Sequence, residues 1–130
     1  MWMAKRADRS LKLRRLVLDA AGAAHQRLGP SPSVDQMEKQ FVDEVVSRRV
    51  QVTRRSDTVL SFGGRPVQTF LADVVLEGRL MVEFKRLPTI TSVDLYRFAR
   101  FLETSHLREG FLVNVSASGL DCRYMNVSGN

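Results

Sequence analysis

The stretch Phe70-Leu71-Ala72-Asp73-Val74-Val75-Leu76-Glu77-Gly78-Arg79-Leu80-Met81-Val82-Glu83-Phe84-Lys85 decides the fold. It reads as two strands, over residues 66–76 and 79–87, joined by the tight turn Glu77-Gly78-Arg79. Side chains alternate across a strand, so Glu83 and Lys85 share a face while Val82 and Phe84 take the other. Pairing centred on Gly78 sets Asp73 opposite Glu83, with Cβ atoms about 5 Å apart.

The flanking sequence supplies the remaining elements. Upstream, Val50, Val52, Val59, Leu60 and Phe62 suit an extended segment that ends at the hairpin signal Gly63-Gly64. Before it, residues 10–28 carry Leu and Val at helical steps with Ser10 as a candidate cap, and Gly29-Pro30-Ser31-Pro32-Ser33 stops that helix. A second helix is expected over 34–49, capped near Ser33 or Asp35. Its apolar stripe is Val34, Met37, Phe41, Val45 and Val46, with Glu38, Lys39, Asp43, Glu44 and Arg48 around the sides. Downstream, residues 92–108 return to helical spacing, and Phe111-Leu112-Val113-Asn114-Val115 reads as a strand buried on both faces. A last strand over about 121–127 is expected at an edge. The order is α-α-β-β-β-α-β-β, one α/β domain with a mixed sheet over 10–130, preceded by a basic arm over 1–9.

The chain has 130 residues, 44% apolar and 26% charged, with 20 Lys plus Arg against 14 Asp plus Glu. That suffices for one real core. The net charge of +6 is concentrated: Lys5, Arg6, Arg9, Lys12, Arg14 and Arg15 against Asp8 alone make residues 1–15 +5, and the rest only +1. Cys122 is the single cysteine, which excludes an internal disulfide and a Cys-rich zinc site and suits an intracellular, cytoplasmic setting. His25 and His106 do not make a metal cage. No apolar run approaches the roughly 20 residues needed to span a bilayer, so no membrane partner is expected. The Arg-rich, acid-poor start leaves organellar import open.

Two facing carboxylates repel unless something positive lies between them. A hard divalent cation is one remedy, because Mg²⁺ is held by one or two carboxylates together with waters and phosphate oxygens. It lowers the pKa of a bound water and neutralises charge on a phosphodiester. The other remedy is that Lys85 pairs with both acids on an exposed face, and spacing alone leaves both open. Arg48, Arg49, Arg54 and Arg55 cluster where the second helix meets the first strand, and can follow a phosphate backbone or line a solvated turn. Tyr96 and Phe98 around Arg97 are too sparse for a stacking platform.

The interval from Asp73 to Glu83-Phe84-Lys85, on a hairpin between helices, resembles the PD-(D/E)XK nuclease superfamily, and more narrowly its small bacterial GxxExxY proteins. The likeness runs from about Ala21 to Asn126. It includes Gly22-Ala23-Ala24-His25-Gln26-Arg27-Leu28-Gly29-Pro30 as the end of the first helix, Phe62-Gly63-Gly64 as a hairpin, and Phe111 to Asn114 as the buried strand. The Gly, Glu and Tyr of the naming motif fall on Ser31, Val34 and Met37, and Glu44 stands where the family also tends to have Glu. The resemblance implies a restriction-endonuclease-like fold and a Mg²⁺- or Mn²⁺-dependent nuclease acting on DNA or RNA. Asp73 and Glu83 would be metal ligands, Lys85 would assist the water, and Glu44 would be the helix acid. Arg97 takes the place of a site-facing Gln, and with Arg48, Arg54 and Arg55 it is a candidate nucleic-acid contact. A catalytically silent nucleic-acid-binding or scaffold module of the same fold is the alternative. A homodimer or a protein partner stays open.

Overall fold

Apolar residues at three- and four-residue steps draw the first helix onto a sheet, and the stop at Gly29 turns the chain back along it. The computed structural model describes the backbone of residues 2–62, 65–116 and 118–127, and the side chains of 7–54, 74–116 and 118–127. The expected Gly63-Gly64 turn lies outside the described residues. Helix α1 is Trp2–Leu28 and α2 is Val34–Ser47; three strands follow, β1 Val52–Phe62, β2 Arg65–Leu76 and β3 Leu80–Lys85. Then come α3 Ser92–Thr104, β4 Glu109–Ser116 and β5 Gly119–Asn126. This is the expected α-α-β-β-β-α-β-β order.

The strands lie in sequence order in one sheet, β1-β2-β3-β4-β5. The β3–β4 pair is parallel and the others antiparallel. A parallel pair needs a long crossover, and α3 supplies it. Alternation along the strands then divides the core in two. Val74, Leu76, Leu80, Val82, Phe84, Phe111, Val113 and Val115 pack under α1 and α2. Val75, Met81 and Leu112 point the other way, onto Phe98, Phe101 and Leu102 of α3. Helix α3 sits close because Gly110 has no side chain: a Cβ there would stand 2.7 Å from the Met81 carbonyl oxygen and 2.9 Å from the Phe98 ring.

Several boundaries differ from the sequence reading, each for a local reason. Helix α1 starts at Trp2, so the expected arm over 1–9 has helical backbone from its second residue. Ser10 is therefore not a cap. It is buried inside the helix and donates its hydroxyl to Glu109 Oε1 at 2.7 Å. Ser33 does cap α2, in a reciprocal box with Gln36. In α2, Val46 is 56% exposed, while Glu38 and Glu44 are buried in its stead. Cations from neighbouring elements reach those two acids, which offsets the cost of burying their charge. Helix α3 ends at Thr104 rather than 108. His106 takes φ +58, its N–H donates to Glu103 O at 3.1 Å, and Leu107 N–H donates to Leu102 O at 3.0 Å. That is a Schellman closure with histidine where glycine is usual. Among the described residues, no helix is long and apolar enough to cross a membrane.

Candidate active site

The β2–β3 hairpin closes at Leu76-Glu77-Gly78-Arg79, where Arg79 N–H donates to Leu76 O at 2.9 Å. Glu77 and Gly78 both have left-handed φ, +53 and +65. Glycine adopts that conformation freely. Glu77 is held in it by the start of β1: its N–H donates to Gln51 O at 2.9 Å and its carboxylate accepts from Gln51 N–H at 2.8 Å. The resulting register is Leu76↔Leu80, Val75↔Met81 and Val74↔Val82, as the count from Gly78 predicts. The same count, continued by one residue, is what expects Asp73 level with Glu83. The side chain of Asp73 lies outside the described residues.

Glu83 and Lys85 follow the pleat. Phe84 between them turns into the core against Phe41, edge to face at 5.2 Å, while the two charged side chains share the α3 face with Met81. Lys85 Nζ stands 3.0 Å from Glu83 Oε1; the Glu83 side chain is 13% exposed and that of Lys85 49%. The sheet thus holds a mostly sheltered carboxylate with an ammonium beside it that still meets solvent.

The chain after Lys85 is tied down from both sides. Lys85 pairs with Asn114 across the parallel ladder. The buried Asn114 amide grips Leu87 twice, accepting from its N–H at 2.7 Å and donating to its carbonyl at 3.0 Å. Arg86 donates to Pro32 O at 2.7 Å. Thr91 then caps α3 in a box with Asp94. The Asp94 carboxyl is held below its ordinary range, first by the Thr91 N–H and then by its hydroxyl. Burial opposes these, and the charges of Arg97 and Lys85 add a little. Asp94 and Asn114 were not expected as site residues. The Thr91-x-x-Asp94 capping signature was present in the sequence, whereas nothing local marks the Asn114 clamp.

The structure brings Glu83 and Lys85 together and does not bring Glu44 to them. Glu44 lies on α2, under the opposite face of the sheet, where it accepts from Gln40 at 3.0 Å and pairs with Arg27 at 2.8 Å and Arg48 at 3.1 Å. The Arg48 hydrogen bond, followed by that of Gln40, lowers its pKa. Its carboxylate thus ties α2 to α1 through Arg27. Of the four arginines singled out for nucleic acid, the side chains of three are described. Arg48 is held by Glu44, and Arg54 reaches buried Glu38 at 2.6 Å. Arg97 is exposed on α3, and the side chain of Arg55 lies outside the described residues. Burial pushes the Cys122 thiol up to about 11, which disfavours the thiolate form.

Two carboxylates are hard oxygen donors, suited to Mg²⁺ or Mn²⁺ with water in the remaining positions. Among the described residues, no group of three His, Cys, Asp or Glu could hold a metal ion. Glu83 is such a donor on this face of β3, and the side chain of Asp73, expected beside it, lies outside the described residues.

The sequence model of the PD-(D/E)XK nuclease superfamily matches residues 12–124. A search of curated proteins finds no match. Among solved structures, the crystal structure of SSO0001 is similar, with a TM-score of 0.50 at 13% identity over 74% of this chain. That likeness concerns the fold alone, and the chain spans about 50% of the length of SSO0001.

Proposed function

The chain belongs to the PD-(D/E)XK nuclease superfamily, and from that premise we propose that it hydrolyses phosphodiester bonds in DNA or RNA, using Mg²⁺ or Mn²⁺ held by Asp73 and Glu83. The observation that supports this most is the Glu83–Lys85 pair, 3.0 Å apart on one face of β3. When bound, such an ion supplies a more acidic water and neutralises charge on the scissile phosphate. The protein's own groups do the rest. Glu83, whose side chain is only 13% exposed, presents its carboxylate beside Lys85. Lys85 donates to the incoming water or to a phosphoryl oxygen, where its charge counts most as negative charge builds up. Asn114 and Arg86 hold the segment after β3, so that Lys85 does not drift.

The clamp around Glu44 favours a second reading. With that acid engaged between two arginines and a glutamine, a module that binds nucleic acid without cutting it is the alternative. One assay separates the two: labelled single- and double-stranded DNA and RNA, each incubated with Mg²⁺, Mn²⁺ or EDTA. Cleavage that needs metal and is lost in Asp73→Ala and Lys85→Ala supports the hydrolase. Binding without cleavage, unchanged by Asp73→Ala, supports the silent module.

A further inference from the structure

Glu109 begins β4 beside Leu80, and Asn114 stands beside Lys85, so the far end of β3 lies about 16 Å along the strand from the proposed reaction. That end carries a groove of about 580 Å³ between α1, the β2–β3 turn, the segment after α3 and β5. Its lining includes Arg14, Arg79, His106, Arg108, Glu109 and Tyr124. Glu109, the one carboxylate there, is engaged from within. Its Oε1 accepts from Ser10 at 2.7 Å and from Tyr124 at 2.8 Å, and its Oε2 takes the Arg79 fork at 3.2 and 3.3 Å. Arg14 and Arg108 are left with no carboxylate partner among the described residues.

Arg14 carries the argument. Its guanidinium lies 4.5 Å over the Tyr124 ring, and its Nε is buried with no acceptor. That Nε is closed off by the protein itself, but the guanidinium lines the groove with no carboxylate partner among the described residues, so its charge is available to a phosphate oxygen there. Tyr124 is already engaged by Arg14 and by Phe111 at 5.4 Å, which leaves the groove better suited to a phosphate than to a stacked base. A smaller groove, about 300 Å³, opens beside Glu77 of the same turn, where Arg9, Lys12 and Arg49 outnumber that one carboxylate, Lys12 itself standing 3.4 Å from Asp8. Two cationic grooves at one turn suit successive phosphates of a polymer.

We propose that the groove at Arg14 and Arg108 is a phosphate-binding site for the backbone of a nucleic acid, separate from the Glu83–Lys85 site. It does not depend on hydrolysis, so it is tested in EDTA, where a failed cleavage assay has no bearing on it. The readouts are the Arg14 Nε–Hε resonance and the anisotropy of a labelled single-stranded oligonucleotide. Inorganic phosphate and chloride at matched ionic strength serve as the other arms. The oligonucleotide should shift the resonance at concentrations where phosphate and chloride do not. Arg108→Ala, an exposed position, should weaken binding several-fold and flatten the salt dependence by about one unit of log–log slope. Arg14→Met should do the same while its melting temperature shows that it folds. An equal response to inorganic phosphate would overturn the polymer as the ligand. No response to either, or unchanged binding by Arg108→Ala, would overturn the site itself.

Discussion

Lys85 illustrates how a stabilising contact and a catalytic one are told apart at the scale of a residue. Its ion pair with Glu83 involves a half-exposed ammonium, and such pairs contribute about 0–1 kcal/mol. Lys85→Ala should therefore leave the urea midpoint nearly unchanged. As a donor to developing charge, its removal should lower the cleavage rate by about 10²–10³-fold. A large loss of stability would point to a structural lysine instead. Glu44 behaves in the opposite way. Its folded pKa is lowered, chiefly by Arg48, so its contribution is fully present above the ordinary carboxylate range and is lost as pH falls through the folded value. Glu44→Gln should thus narrow the gap to wild type as pH drops from neutral into the acid range. Melting curves that stay equally far apart at every pH would refute the clamp.

At the scale of the elements, Gly110 sets how closely α3 approaches the sheet. A methyl group there would meet the Met81 backbone, which cannot move aside as a flexible side chain can. Gly110→Ala should cost about 1–3 kcal/mol in urea unfolding, and a neutral result would mean that α3 is free to shift. Thr91→Ala should cost about 1 kcal/mol through the lost cap, measured in the same way. These elements also show what could be read in advance. The β2–β3 register was legible because the turn is short and glycine-centred and the pleat has period two. The shared face of Glu83 and Lys85 follows from that period alone. The end of α3 was not legible, because His106 takes a left-handed φ usually left to glycine. Nor were the roles of Ser10, Glu38 and Glu44: each is decided by a partner elsewhere in the chain, Glu109, Arg54 and Arg27 in turn, and no local pattern reports such a contact. The Glu83–Lys85 pair could be read from one hairpin, whereas the partners of Glu44 depend on how two helices pack.

For the whole molecule, the two described cores on either side of the sheet are built from apolar side chains. EDTA should leave the melting temperature of the metal-free protein unchanged, while Mg²⁺ should raise it by mass action. Glu83→Gln should abolish that increase. Charge is divided in a similar way, with the acid-bearing end of β3 at the C-terminal side of the strand and the Arg14–Arg108 groove at the other. A nucleic acid held at both places would span the sheet.

The most direct measurement is the paramagnetic effect of Mn²⁺ on the amide resonances of the protein. Bound between neighbouring strands, Mn²⁺ should broaden signals around residues 72–74 and 83–85 first, and Asp73→Asn should restore them. Broadening centred elsewhere, or none at millimolar Mn²⁺, would contradict a metal site at Asp73 and Glu83.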